Sequence, residues 1–345
     1  MRPKTRTCSS KRSGCLAASS GTKILAVVFL LTLILFATPI KTRGEEHRIL
    51  VVATIPPLAS IAKEIVGDRA TVVYLVPTTS DPHQYSLRPG DAQLLEKADL
   101  IICVGKEPFL GELPEDVKDR LIGWEDWLSA GIYVVNDNPH YLWLYPPNAI
   151  KVAEVIKDRI LRLDPSGSSY YERNFDRFEE KVQDLISWIH TYVKSAGVEG
   201  KTVLLAGSHF APLMRIMELK VAGILIKGEG KIPGPEDVIK FEKEGRRQGA
   251  SAVIVLATQA EGDEGRLGRT VAKDLDIPII YVYGTMFSGN DTYCEFIKYT
   301  VAAVVAGISS RGGGDEGVPS ECIVAIAVLS LISLLELVIL WRGSS

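Results

Sequence analysis

The sequence predicts an α/β fold of two lobes, each with a parallel sheet flanked by helices, bridged by one long rigid helix. Three observations carry that expectation. From Arg48 onward, short β-branched runs alternate with stretches of helical periodicity. At Asp164 the alternation gives way to a single apolar stripe, and after Gly197 it begins again.

In the first lobe, Ile49 to Ala53 reads as a strand and Leu58 to Val66 as a helix. Val72 to Leu75 is the next strand, and Asp91 to Ala98 the next helix. Leu100 to Val104 and Ile132 to Val135 are two more expected strands, followed by a helix over Asn148 to Leu161. Asp164-Pro165 then opens the long helix. Tyr171, Phe175, Phe178, Val182, Leu185, Ile189 and Tyr192 recur at steps of four and three, which is one face of a helix running to about Lys194. Such a stripe needs a surface longer than one sheet edge, so a helix laid along both lobes fits it. A coiled-coil dimer would also fit, but a monomer is expected. In the second lobe, strands are expected over Val203 to Ala206, Ala252 to Leu256 and Ile279 to Val282. Helices are expected over Phe210 to Leu219, Pro235 to Arg247, Leu267 to Leu275 and Tyr293 to Ala306.

The two ends differ from the body. Ile24 to Ile40 is apolar except for Thr32 and Thr38, and basic residues from Arg2 to Lys23 precede it, the layout of a secretory signal or signal anchor. No cysteine follows it closely to take a lipid. Cys322 to Trp341 is apolar except for Ser330, Ser333 and Glu336, which is long enough to cross a bilayer. Arg311 to Ser320 is a glycine-rich linker before it. The chain therefore divides into a signal or anchor (1–45), a first lobe (46–163), a linking helix (164–196), a second lobe (197–307), a flexible linker (308–321) and a transmembrane anchor (322–341). Basic residues at both extreme ends place the body on the extracytoplasmic side of the cell membrane.

The formal net charge is −3, and no basic stripe crosses the body, so nucleic acid is not an expected partner. Only Cys103 and Cys294 of the five cysteines lie in the body, and nothing in the sequence requires a bridge between them.

Three of the five histidines share a context. His83 follows the strand ending near Val76, between Pro82 and Pro89; His140 follows the expected strand ending at Val135; His209 follows the strand ending at Ala206. In parallel sheets, ligands bind beyond the carboxyl ends of strands, here the crevice between the lobes. Three neutral imidazoles meeting there make a nitrogen site suited to Zn2+. His47, before the first strand, and His190, off the apolar stripe, read as solvated.

Several motifs then resemble one family. Ala53-Thr54-Ile55-Pro56-Pro57-Leu58, Asp81-Pro82-His83-Gln84-Tyr85, Pro89-Gly90-Asp91 and Ala98-Asp99-Leu100-Ile101 are similar to the zinc- and manganese-binding subunits of ABC importers. So are Asn138-Pro139-His140, Trp143-Leu144, Asn148-Ala149 and Gly207-Ser208-His209, in the same order along the chain. The resemblance implies two α/β lobes bridged by a rigid helix, with one metal ion in the cleft, handed to a membrane permease. Some relatives are described as adhesins, so cell adhesion is a further role the resemblance implies.

The chain departs from the family twice. Tyr283 stands where the family has an acidic fourth ligand, and a phenol with a pKa near 10 is a poor donor. The fourth position is therefore expected to be water, or a carboxylate from Glu261, Asp263 or Glu264 in an acidic loop. The His/Asp-rich loop of many zinc binders is also missing. Three histidines with no evident aspartate point to zinc, with manganese as the alternative. An open three-histidine site also serves zinc hydrolases and hydratases, but these need a base or proton shuttle. Near the histidines only Asp81 and Asp137 offer one, both readable as loop caps, and the sequence has no H-E-x-x-H or G-x-S-x-G. An enzyme is not expected.

Overall fold

The structure is a computed structural model that describes residues 48–78, 85–228, 232–286, 288–289 and 291–310. The expected signal, the expected anchor (322–341) and His83 lie outside the described residues. Among the described residues, no helix is long and apolar enough to cross a membrane.

The first lobe begins with β1 (Ile49–Ala53), α1 (Pro56–Val66) and β2 (Ala70–Tyr74), then α2 (Pro89–Lys97) and β3 (Leu100–Ile102). Val51, Val52 and Ala53 are fully buried, as a central parallel strand covered on both faces requires. Pro56 and Pro57 start α1, where their fixed φ suits the first turn and their missing N–H groups cost nothing.

The fourth strand differs from expectation. It is β4 (Leu121–Ile122), only two residues long and paired with β3, between the short helices α3 (Glu115–Lys118) and α4 (Trp124–Ser129). Residues 132–135 form no strand. Their backbone polarity is taken elsewhere: Tyr133 N–H donates to Asn148 Oδ1 at 2.8 Å, and its carbonyl accepts from Asn148 Nδ2 at 2.7 Å. One side chain thus supplies what a neighbouring strand would have supplied. The sheet order is β2-β1-β3-β4, all parallel.

After α5 (Tyr141–Leu144), two long helices follow, α6 (Pro146–Leu163) and α7 (Ser168–Ser195). At 28 residues, α7 is about 42 Å long. It packs against α1 and α6 on one side of the molecule and against elements of the second lobe further along. Its buried stripe is Tyr171, Asn174, Phe178, Val182, Leu185, Ile189 and Val193. Asn174 takes the place expected for Phe175 because its amide donates to Ile65 O at 2.8 Å, satisfying a carbonyl in the last turn of α1.

The second lobe contains β5 (Thr202–Gly207), α8 (Ala211–Ile216), β6 (Lys220–Ile226), α9 (Pro235–Gln248), β7 (Val253–Leu256), α10 (Asp263–Leu275), β8 (Ile279–Val282) and α11 (Tyr293–Ser309). Its order, β6-β5-β7-β8, repeats that of the first sheet. The edge strand β6 had no counterpart in the sequence expectations, since Gly223 interrupts its β-branched run. One buried cluster runs from α1 through α7 to β5 and α11, so the two lobes share a core along the bridging helix. The thiols of Cys103 and Cys294 are both free, and burial pushes the Cys294 thiol up to about 11.

A polar clamp closes the start of the bridge. Asp164 accepts from Ser166 Oγ (2.5 Å), Tyr171 OH (2.7 Å) and Arg69 Nε (2.8 Å). These donors, Ser166 foremost, hold its carboxyl at about 2, below the ordinary 3.8. A depressed carboxylate stabilises the fold above its unfolded pKa and loses that contribution as pH falls through its folded pKa. Asp164→Asn should therefore cost about 1–2 kcal/mol at pH 7. In urea melts, that difference should shrink between about pH 4 and pH 2. A cost that did not change with pH would refute the assignment.

Candidate metal centre

In both sheets the chain leaves the first strand to one side and returns on the other, so strand order reverses between β1 and β3 and between β5 and β7. Crevices at such switch points are where α/β sheets bind ligands. Here the two reversals face one another across a single cleft. Ile55 and Glu107, beyond β1 and β3, line one side, and His209 and Thr258, beyond β5 and β7, line the other. His140 and Trp143 complete the wall.

The loop to His140 turns sharply. Asn136 and Asp137 have φ of 54° and 55°, two consecutive left-handed residues of the types that tolerate it. Asp137 is paired with Lys106 Nζ at 2.9 Å. The turn aims Asn138 inward. Its Nδ2 donates to Ser208 O at 2.8 Å, which fixes which end of the amide is the oxygen. That oxygen accepts the His140 backbone N–H at 3.0 Å and lies 2.8 Å from His140 Nδ1. Since Oδ1 is an acceptor, Nδ1 carries the ring hydrogen, and Nε2 keeps the lone pair a metal needs.

Trp143 locks the same loop to the second lobe. Its Nε1 donates to Gly284 O at 2.9 Å, and its own carbonyl accepts from Tyr293 OH at 2.9 Å. His140 sits beside the Trp143 ring, with centroids 5.0 Å apart. Although His140 precedes the bridging helix in sequence, its fastenings run to the second lobe.

His209 leaves β5 two residues after Gly207, and the buried Phe210 behind it anchors the turn. The His140 and His209 rings lie 4.6 Å apart, nearly perpendicular at 77°. Two of the three expected ligands are thus brought together, and the third, His83, lies outside the described residues. Among the described residues, no group of three His, Cys, Asp or Glu side chains is placed to hold a metal.

The four candidates for a fourth position part company. The expected acidic loop is largely the first turn of α10. Glu261 is exposed and lies 3.9 Å from Arg269, and Asp263 pairs with Arg266 at 2.5 Å. Tyr283 is 44% exposed. Only Glu264 is buried, with Oε1 3.2 Å from His209 Nδ1. The hydroxyl of Thr285, which also lines the cleft, is buried without a hydrogen-bond partner among the described residues. Sequence reasoning passed over Thr285, Glu107 and the orienting role of Asn138. For Asn138 the signal was present, an amide two residues before a loop histidine.

Residues 51–307 match the family model described as zinc-uptake complex component A, periplasmic (ZnuA). The chain belongs to this family. Its members are metal-binding subunits of ABC importers and not enzymes, and the same holds for this chain. The manganese-binding lipoprotein MntA of Halalkalibacterium halodurans is 27% identical over 281 residues, covering 78% of this chain and 91% of the relative. The metal ABC transporter substrate-binding lipoprotein SloC of Streptococcus mutans is 25% identical over 308 residues, covering 83% and 98%. Among solved structures, that of ZnuA superposes with a TM-score of 0.63 at 19% identity, covering 77% of this chain and 99% of the other. The periplasmic zinc-binding protein TroA of Treponema pallidum gives 0.64 at 16% identity, covering 76% and 99%. At those identities the superpositions speak for the two-lobed fold.

Proposed function

We propose that His83, His140 and His209 together bind one Zn2+ in the cleft, that water takes the fourth position beside the Thr285 hydroxyl, and that the ion is cargo handed to an ABC permease. The observation that carries this reading is the convergence of two imidazoles, 4.6 Å apart, in the cleft, His209 just beyond β5 and His140 on the loop before α5. Neutral nitrogen donors favour zinc over the harder manganese, which prefers oxygen. The relatives named for manganese support the second reading, a manganese binder of the same architecture. For the tether we propose the apolar segment 322–341, because it is long enough to cross a bilayer and no cysteine stands between the apolar segment 24–40 and Cys103 to take a lipid.

Titration of the full-length chain separates the two metals. Zn2+ should bind at one ion per chain and at least tenfold more tightly than Mn2+. Trp143, next to His140, should report binding as a change in tryptophan fluorescence. Tighter binding of Mn2+ would transfer the assignment to the second reading, and binding of neither ion would end both.

A further inference from the structure

Glu264 is buried, 7% exposed, on the first turn of α10, a costly place for a carboxylate without a task. Two glycines make room for it. A Cβ on Gly265 would lie 1.8 Å from Ala260 O, so only glycine lets this turn fold against the preceding segment. A Cβ on Gly207 would lie 2.1 Å from Glu264 Oε1, so the carboxylate fills the space that a side chain at the end of β5 would occupy. On the same helix Arg266 donates to Asp263 at 2.5 Å, and Arg269 to Ala260 O at 2.7 Å and Tyr281 OH at 3.1 Å. Glu264 Oε1 lies 3.2 Å from His209 Nδ1.

We propose that Glu264 is a positioning residue for His209 and not a metal ligand. Its carboxylate, 3.2 Å from Nδ1, draws the ring hydrogen to that nitrogen by charge, which favours the tautomer with its lone pair on Nε2. Nδ1 and Nε2 lie on opposite edges of an imidazole, so an oxygen engaged with Nδ1 stands behind the ring as seen from an ion on Nε2. The same carboxylate supplies one negative charge from outside the coordination sphere, where three neutral imidazoles supply none. Carboxylates in this place raise the basicity of a ligating histidine, and their loss weakens metal binding by roughly 10–100-fold. The proposal rests on the reading that His209 holds the ion.

The test compares the full-length chain with Glu264→Ala, Glu264→Gln and Gly207→Ala by Zn2+ competition against a chelator. Glu264→Ala should bind one Zn2+ per chain about 10–100-fold more weakly. Gly207→Ala, which displaces the carboxylate without altering its chemistry, should weaken binding in the same range. Glu264→Gln keeps an acceptor but loses the charge and should fall between wild type and Glu264→Ala. In 15N spectra of the metal-free protein, His209 Nδ1 should be protonated in the wild type, with both tautomers present in Glu264→Ala. Wild-type affinity in Glu264→Ala and Gly207→Ala would overturn the proposal, as would loss of an oxygen from the zinc shell of Glu264→Ala by X-ray absorption. If Glu264→Ala does not fold, Gly207→Ala and Glu264→Gln carry the same decision. His209→Ala separates the two readings: weakened binding there with none in Glu264→Ala overturns only this proposal, and unchanged binding there overturns both.

Discussion

Replacing His209 with alanine is expected to weaken Zn2+ binding about 100-fold or more, and His140→Ala by a similar factor. A four-coordinate zinc site is worth roughly 10–16 kcal/mol, so one nitrogen donor carries about 3 kcal/mol, and 1.4 kcal/mol is a factor of ten. The two losses should not add. Once one imidazole is gone, the ion sits on fewer protein donors and the second substitution removes a contact already weakened. Neither change should unfold the metal-free protein. Asn138 keeps its bond to Ser208 O, and Trp143 keeps its bond to Gly284 O, so the loop stays fastened without the His140 ring. The variants should instead lose the stabilisation that zinc adds. At a free concentration 100 times the dissociation constant, zinc adds about 2.7 kcal/mol to the wild type. Chelator competition, with thermal melts with and without zinc, reads both effects. Tight one-to-one binding that survives single substitution of His83, His140 and His209 would sink the site.

The position of His209 was legible in the sequence because it follows the end of β5; His140 reaches the same cleft, but not from the end of the strand expected before it. The route to His140 was not legible. Residues 132–135 have the composition of a strand, yet Asn148, fifteen residues on, takes both backbone groups of Tyr133, and no local pattern records that. The true fourth strand is two residues long, too short to show a period. The stripe of the bridging helix was legible at five of its seven positions; Val193 is buried where Tyr192 was expected and Asn174 where Phe175 was expected, and the second exception is informative. Asn174 is buried for a hydrogen bond to α1, which hydrophobic periodicity cannot see. Glu264 was visible only as one acid among three. Its burial depends on Gly207 and Gly265, whose importance emerges only when β5 and α10 lie side by side.

Glu107→Ala is expected to destabilise the fold by about 3–5 kcal/mol while changing zinc affinity less than tenfold. This carboxylate is 7% exposed, and the loop after β3 folds back around it. Val104 N donates to Oε1 at 2.9 Å, and Gly105 N and Lys106 N donate to Oε2 at 2.7 and 3.0 Å. The hydroxyl of Thr54, fully buried just beyond β1, also donates to Oε1. The carboxylate thus ties together the ends of β1 and β3, where the first sheet opens onto the cleft. Gly105 makes the fold-back achievable, with φ of 91° and a virtual Cβ only 2.2 Å from Trp124 N. Alanine at 107 would leave three backbone N–H groups and a hydroxyl without their acceptor, each worth about 1–3 kcal/mol if water cannot reach it. Partial relaxation of the loop brings the sum down to the stated range. Glutamine should cost less than alanine, since it keeps one acceptor oxygen but turns an amide donor toward the remaining N–H groups. Thr54→Val removes a single donor and should cost about 1 kcal/mol. Zinc affinity is spared because Asn138, Trp143 and Glu264 hold the His140–His209 pair from the opposite wall. Urea melts alongside chelator competition measure the two quantities separately. An unchanged urea midpoint would refute the structural role, and a loss of affinity as large as that of His209→Ala would place Glu107 in the metal site itself.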